Sequence, residues 1–429
     1  IFSLTKHWLF SDSDAGIIYG AYTALVYITP VVGGYLADKY LGQRKAVLFG
    51  AVLLTLGHFF MAFEGDPGAG TENNPIVYVF WLALALIIVG SGFLKANISV
   101  IVGQLYPRTD TRRDAAYTIF YMGINLGAAI GSLLCGYIGE TYGWAYGFGL
   151  AGIGMLAGLF IFWSGRDNYA AASGLDITEA GHKQAGPLKI YQWISVGSLA
   201  LIPACYFLIS QNDWMTYLLI GLFVLVAASL VRAGIKEGPI WRDRMIALVI
   251  FMVINIVFWA CFEQAGTSLT LFADRNVSRE IFGWTMPASM TQFFNPAFII
   301  IFGSIFSVMW VKLDQLGKNP SIPMKFALGI LQLGAGFLVT IVGLQFASEE
   351  AMVPLLTLVF LYLLHTTGEL FLSPIGLSMV TKLSPKSMAG TAMGGWFLSF
   401  AIANYAGGLI ASLTGGHGDS GAELDAAAG

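Results

Sequence analysis

Twelve apolar stretches run through this sequence, and each has the length that a helix needs to cross a lipid bilayer, about 20 residues. Stretches this long predict membrane-spanning α-helices. The predicted spans are residues 15–36, 46–63, 76–105, 114–138, 144–163, 190–210, 214–232, 245–266, 287–311, 325–346, 354–381 and 390–412. The sequence therefore predicts an all-α membrane protein.

The composition agrees with lipid as the natural solvent. Charged residues make up 11% of the 429 residues and hydrophobic residues 56%, whereas about 25% of the residues of a soluble domain are charged. The net charge of −3 disfavours nucleic acid, which a basic face must neutralise. Cys135, Cys205 and Cys261 each lie inside an apolar run, so we interpret them as packing residues and not as a disulfide framework or a metal site.

The cations alternate sharply between the two sets of connecting loops. Eighteen of the 22 lysines and arginines fall in one set, which the positive-inside rule makes cytoplasmic. That set is Lys39, Arg44, Lys45, Arg108, Arg112, Arg113, Arg166, Lys183, Lys189, Arg232, Lys236, Arg242, Arg244, Lys312, Lys318, Lys325, Lys382 and Lys386. The other set contains acidic loops at 64–66 and 348–350. Both visible termini come out on the non-cytoplasmic side. If the natural termini are cytoplasmic, we expect one further span at each end and fourteen in all.

A weak internal repeat predicts two halves. The loop Gly34–Lys45 has a decayed echo at Leu313–Lys318, and parallel repeats mark transporter halves that rock about a site at the midplane. We predict an N-terminal helix bundle over 1–165 that lacks most of its first helix. We predict a linker over 166–240 that contains two inserted transmembrane helices. The third predicted domain is a C-terminal bundle over 241–429 that lacks its last helix.

Two charged residues lie deep within predicted spans. Lys95 falls inside 76–105 and Glu369 near the middle of 354–381. A lysine at a helix centre costs about 2.5–3.5 kcal/mol on insertion scales, so such residues indicate function. We hypothesise that Lys95 and Glu369 face each other across a polar cavity. The alternatives are a lysine that snorkels to the interface and a static pair that fixes helix register.

Further polar and aromatic residues lie in apolar spans, where their polar groups need partners. They are Tyr27, Tyr121, Asn125, Asn295 and Trp396. Glu263 follows Trp259 by four residues, which predicts one shared helix face, although an acid near a span end is also compatible with solvation at the interface. His365 precedes Glu369 by four residues, and we interpret it as a packing residue.

Some functions are disfavoured by missing motifs. The sequence has no Walker A loop, no zinc-spaced histidine cluster and no Gly-x-Ser-x-Gly elbow. We therefore expect neither ATP-driven transport nor an enzyme, and no cofactor or metal.

The sequence resembles a known family along its whole length. The loop Gly34–Lys45 is similar to the conserved loop of the major facilitator superfamily. Four further stretches, together with Asn295–Pro296, resemble the proton-dependent oligopeptide transporter family. These stretches are Gly92–Ser99, Phe120–Ala128, Phe258–Gly266 and Gly368–Ser378. The resemblance implies a major facilitator fold with two six-helix bundles and two inserted helices, as in bacterial members, and hence a multi-pass protein of the bacterial inner membrane.

The resemblance also implies roles for the matching residues. Lys95 would contact the carboxylate end of a peptide and pair with Glu369. Glu369, Asn125 and Asn295 would engage its amino end. Tyr27, Trp259 and Trp396 would line side-chain pockets, with Ser399 as a further substrate contact. Glu263 would join Lys95 and Glu369 in proton coupling and gating, and Asp38 and Arg44 belong to the conformational loop.

Three departures from the family pattern bear on these roles. The first-helix motif Glu-x-x-Glu-Arg is not present, so its carboxylates and its arginine, the expected gate partner of Glu263, have no counterpart in this sequence. Ala129 stands where a bulkier residue is common, and Phe400 where relatives can carry a small polar residue. Both are expected to reshape the peptide pocket.

The resulting prediction is a monomeric symporter that imports di- and tripeptides together with protons by alternating access. A major facilitator transporter of nitrate, drug-like molecules or other small anions is the main alternative. A peptide receptor or channel that no longer cycles, and an intramembrane enzyme, are weaker ones.

Overall fold

The structure is a computed structural model, and it describes residues 1–63, 65, 76–105, 112–167, 176–385 and 389–415. Arg108, Lys386, the acids of the 64–66 loop and the residues after 415 lie outside the described residues.

Fifteen α-helices are assigned in the described residues. They are α1 Asp12–Leu36, α2 Gln43–Met61, α3 Ile76–Gln104, α4 Arg112–Tyr142, α5 Trp144–Ser164, α6 Glu179–His182, α7 Ile190–Ser198, α8 Leu201–Ser210, α9 Asp213–Glu237, α10 Pro239–Phe262, α11 Ser268–Asn276, α12 Phe294–Gln315, α13 Ile322–Gly343, α14 Leu355–Leu383 and α15 Ala389–Gly415. Short π-helical turns occur at Ser3–His7 and Ala37–Leu41, and 3₁₀ turns at Gly165–Asp167, Glu263–Gly266, Ala288–Phe293 and Leu344–Phe346.

The strands are short and lie in loops. They are β1 Gln184–Ala185, β2 Leu188–Lys189, β3 Val277–Ser278, β4 Glu280–Ile281, β5 Trp284–Thr285 and β6 Val353–Pro354. β1 with β2 and β4 with β5 form antiparallel pairs, and β3 pairs with β6 in parallel.

Within the described residues, twelve helical segments are long and apolar enough to cross a membrane. The prediction of twelve visible spans is confirmed. The largest difference is the predicted span 245–266, which lies in a segment that runs from Pro239 to Asn276. That segment is interrupted, because α10 ends at Phe262 and a 3₁₀ turn follows.

The chain divides into two compact units. The N-terminal unit contains residues 2–123 and 138–217, and the C-terminal unit contains 124–137 and 218–429 together with Ile1. The first inserted span, α7 and α8, belongs to the N-terminal unit, where α8 packs against α3. The predicted domain boundaries at 165 and 240 stay a prediction.

In the N-terminal unit, α1 and α3 cross at two glycines. A Cβ atom on Gly33 would collide with the backbone of Gly92, so the crossing depends on the absence of side chains. Two polar side chains fix it: the Thr29 hydroxyl donates to the carbonyl of Ile88 at 3.0 Å, and Nδ2 of Asn97 donates to the Gly33 carbonyl at 3.4 Å. The two helices are therefore held in one register.

The linker segment 176–191 is docked onto the turn between α1 and α2 and onto the start of α2. Asp176 forms an ion pair with Arg44, and the Thr178 hydroxyl donates to the carbonyl of Lys39 at 2.7 Å. Nζ of Lys45 lies 3.7 Å from the centroid of the Tyr191 ring. Exposed ion pairs stabilise little. The hydrogen bond to the backbone and the close packing therefore contribute most of the stability of the docked segment.

In the C-terminal unit, α10, α13, α14 and α15 share one hydrophobic core. Its buried members include Met252, Phe258, Phe326, Leu372 and Met379. The predicted site residues Trp259 and Trp396 belong to this core, and Glu369 lies on α14, which contributes Leu372 and Met379 to it.

We predict that Gly181→Ala loosens the docked linker segment. The new Cβ would collide with the carbonyl oxygen of Tyr40, and overpacking of this kind costs about 1–3 kcal/mol. The purified variant should melt at a lower temperature, and trypsin should cut faster at Lys39 and Arg44.

Gly197→Ala is the matched control, because nothing lies within 4 Å of a Cβ atom built there. Equal melting temperatures and equal cleavage rates for the two variants would show that the docking at Gly181 does not hold the loop.

Candidate functional site

Lys95 is held against an aromatic ring in the N-terminal unit. Its Nζ lies 4.0 Å from the centroid of the Tyr27 ring, within the range of a cation–π interaction. α1 and α3 run in the same direction from their crossing, and helical side chains lean toward the N-terminus of the helix. Lys95, three residues beyond Gly92, therefore reaches back to the level of Tyr27. The Lys95 side chain is exposed, so its ammonium is not enclosed by packing.

Glu369 is buried in the C-terminal unit beside Asn295. Its side chain is 8% exposed, and its Oε2 accepts a hydrogen bond from Nδ2 of Asn295 at 3.1 Å. The same Nδ2 donates to the Thr366 hydroxyl at 3.0 Å. The structure thus brings together two of the predicted residues, and it adds Thr366, whose hydroxyl in turn donates to the carbonyl of Tyr362 at 2.7 Å.

Glu263 lies directly after the end of α10. α10 ends at Phe262, and Glu263 opens a 3₁₀ turn. The backbone N–H of Glu263 still donates to the carbonyl of Trp259, so Glu263 lies one helical turn beyond Trp259, as the four-residue spacing predicts. The Glu263 side chain is half-buried.

His365 is a packing residue, as its place in an apolar run indicates. Its imidazole is 1% exposed. The ring centroids of Phe337 and Phe262 lie 4.8 and 6.1 Å from that of His365.

Trp259 and Trp396 meet through Phe400. The ring centroids of Trp259 and Phe400 are 5.1 Å apart, and those of Trp396 and Phe400 are 6.2 Å apart. The two tryptophans predicted from the sequence are thus joined by the residue that departs from the family pattern. Within the described residues the buried indole N–H of Trp259 has no hydrogen-bond acceptor.

Ser399 is fully buried, and its hydroxyl is engaged inside the protein. It donates to the carbonyl of Trp396 at 2.6 Å and accepts from Nδ2 of Asn255 at 2.8 Å. Sequence reasoning missed Asn255. Its position was a usable signal, since an amide in the apolar run of α10 requires a hydrogen-bond partner. The sequence does not say which helix supplies that partner.

The remaining predicted residues have other surroundings. Asn125 is buried on α4 in the part that belongs to the C-terminal unit. In the loop before α2, Asp38 accepts a hydrogen bond from Nε2 of Gln43 at 2.6 Å, whereas Arg44 pairs with Asp176. Because Lys95 and Glu369 belong to different units, their pairing stays a prediction.

Comparisons with known proteins point to one family. The sequence model of the POT family matches residues 44–422. The chain is 37% identical over 421 residues to the peptide transporter YePEPT of Yersinia enterocolitica, covering 94% of this chain and 79% of that protein. It is 35% identical over 409 residues to the dipeptide and tripeptide permease B of Aliivibrio fischeri, covering 94% and 79%.

A solved structure supports the same assignment. A variant of a peptide transporter POT in complex with alafosfalin superposes with a TM-score of 0.82 at 33% identity, and the match covers 96% of this chain and 82% of that one. The predicted all-α membrane protein of the major facilitator fold is confirmed, as is its place as a multi-pass protein of the bacterial inner membrane. By the match over 44–422 and by these relatives, the chain belongs to the POT family of transporters.

Proposed function

We propose that this protein is a proton-coupled symporter that imports di- and tripeptides by alternating access. The observation that carries the proposal is the family match over 44–422. Two charged residues within the predicted spans support it: Lys95 lies over the Tyr27 ring, and Glu369 accepts a hydrogen bond from Asn295. The relatives named as peptide transporter and as dipeptide and tripeptide permease support the substrate class.

The charges of a small peptide match this set of residues. A dipeptide carries an ammonium and a carboxylate at opposite ends. The exposed ammonium of Lys95 binds the carboxylate end, while Glu369, Asn295 and Asn125 bind the amino end. Each charged group then has a counter-charge in a medium where an unpaired charge is costly.

The aromatic residues receive the peptide side chains and main chain. Tyr27, Trp259 and Trp396 line the side-chain pockets, and Ser399 lies beside Trp396. We propose that the buried indole N–H of Trp259, which has no acceptor within the described residues, donates to a peptide carbonyl. A donor left without an acceptor costs about 1–3 kcal/mol, so a substrate that supplies one is favoured.

The burial of Glu369 supports coupling to protons. A carboxyl group surrounded by apolar packing is stable when it carries a proton or faces a cation, and unstable when it does neither. Glu369 alternates between these two states during the cycle, with Lys95 as its cation, while Glu263 takes part in gating. Each unit charge moved through 100 mV releases about 2.3 kcal/mol, enough for roughly fortyfold accumulation.

We propose that protons are the coupling ion, that no cofactor takes part and that a monomer is the working unit. Each unit supplies its own predicted residues, Lys95 and Tyr27 in one and Glu369 and Asn295 in the other, so one chain holds the whole set.

The alternative function is transport of nitrate or another small anion. The exposed ammonium of Lys95 favours this alternative over a receptor, a channel or an enzyme. An anion needs Lys95 but has no use for Glu369. Labelled dialanine uptake by proteoliposomes should be displaced by excess trialanine and unaffected by excess nitrate. Displacement by nitrate alone would favour the anion transporter.

We expect Glu369→Gln to abolish uptake of dialanine driven by an inward proton gradient. Glutamine keeps the shape and the hydrogen bond with Asn295 but cannot take up and release a proton. The measurement is labelled dialanine uptake by reconstituted protein, with and without the gradient.

Glu349→Gln is the control, because Glu349 is an exposed loop carboxylate of the same unit. Gradient-driven uptake that persists at the wild-type rate in Glu369→Gln would rule out the proton-coupling role.

We expect Tyr27→Leu to raise the KM for dialanine by about 2- to 30-fold, the range that corresponds to a cation–π interaction of about 0.5–2 kcal/mol. Without the ring, the Lys95 ammonium loses the surface that positions it. Tyr27→Phe keeps the ring and should leave the KM within about twofold of the wild type. If the two variants share one KM, the ring does not position Lys95.

A further inference from the structure

Helices α10 and α15 pack along a stripe of small residues. Gly395, Ser399, Ala403 and Gly407 follow one another at four-residue intervals on α15 and so lie on one face. A Cβ atom on Gly395 would collide with the side chain of Met252, and one on Gly407 would lie 3.1 Å from the carbonyl oxygen of Ala260. Apolar surfaces of this kind permit close approach, but they do not by themselves fix how far one helix slides or rotates against the other.

A buried side-chain pair lies on this stripe. Nδ2 of Asn255 on α10 donates to Oγ of Ser399 on α15 at 2.8 Å, and the two side chains are 1% and 0% exposed. A hydrogen bond between two buried groups has a narrow range of distance and angle. It therefore selects one register of the two helices from those that the small residues allow.

The aromatic cluster Trp259–Phe400–Trp396 lies next to this pair. Trp259 is one turn beyond Asn255 on the same face of α10, and Phe400 directly follows Ser399. The Ser399 hydroxyl also donates to the carbonyl of Trp396 at 2.6 Å. The separation of 5.1 Å between the Trp259 and Phe400 rings thus depends on the register that the pair fixes.

We propose that Asn255, acting through Ser399, is a positioning residue that sets the width of the aromatic side-chain pocket and thereby the selectivity among peptides. The inference rests on the proposed function, since it assigns a determinant of the same site. Asn255 has no access to substrate, so its effect passes through the positions of Trp259, Phe400 and Trp396.

The test compares the KM values of dialanine and alanyl-phenylalanine in proteoliposomes for Asn255→Leu, Ser399→Ala and the double variant. Each single variant should change the ratio of the two KM values by about threefold or more, the change that an interhelical hydrogen bond of about 0.6 kcal/mol corresponds to. For Asn255→Leu the kcat for dialanine should stay within about twofold of the wild type, because Asn255 is buried and the charged residues are untouched.

The double variant separates positioning from instability. Removing both polar partners leaves no buried group unsatisfied and is expected to be nearly neutral for folding. The effects should not add, because either substitution already breaks the same hydrogen bond. Ser412→Ala is the control, since the Ser412 hydroxyl donates only within α15 to the carbonyl of Leu409 at 2.7 Å. An unchanged KM ratio in both single variants, or additive effects, would overturn the proposal.

A peptide-independent measurement keeps this inference distinct from the proposed function. Experimental structures of the wild type and of Asn255→Leu should show a different separation of the Trp259 and Phe400 rings, whatever the substrate is. If the wild type takes up no peptide, the proposed function fails while this structural comparison still decides the role of Asn255. An unchanged ring separation overturns the inference.

Discussion

Close approach of helices at small residues is the constraint on which both units depend. In lipid the backbone hydrogen bonds are already made within each helix, and no hydrophobic effect drives one apolar helix against another. Contact then comes from packing at positions without large side chains and from the few polar groups that find partners. The crossing of Gly33 with Gly92 in the N-terminal unit and the small-residue stripe from Gly395 to Gly407 in the C-terminal unit are both of this kind.

Each crossing is fixed by polar side chains and lies next to predicted site residues. Thr29 and Asn97 bond across α1 and α3, and Lys95 reaches Tyr27 nearby. Asn255 and Ser399 bond across α10 and α15, and Trp259 meets Phe400 one turn away. Each crossing thus holds the residues beside it in one local arrangement.

The linker segment 176–191 extends this rigidity to the conformational loop. Its contacts with Lys39, Arg44 and Lys45 join the entry to the first inserted span to the end of α1. In this protein the inserted segment is therefore a structural part of the N-terminal unit, and it steadies the helix that carries Tyr27.

The sequence by itself determined the solvent, the helices and the family. Twelve long apolar runs indicate a helical membrane protein. The deep positions of Lys95 and Glu369 make them candidates for function, because an unpaired charge in lipid is costly. Local motifs in chain order identified the transporter family.

Only the tertiary structure decided which side chains are partners. The amide of Asn255 required a partner by its chemistry, but Ser399 lies 144 residues away, and the spacing along a chain carries no information about such a pair. The same holds for Glu369 with Asn295 and for the linker segment with its loop. The sequence also did not predict the end of α10 at Phe262, because an apolar run does not show where an α-helix tightens into a 3₁₀ turn. Which side chains become hydrogen-bond partners depends on how the helices cross, and the crossings are fixed by packing over the whole fold.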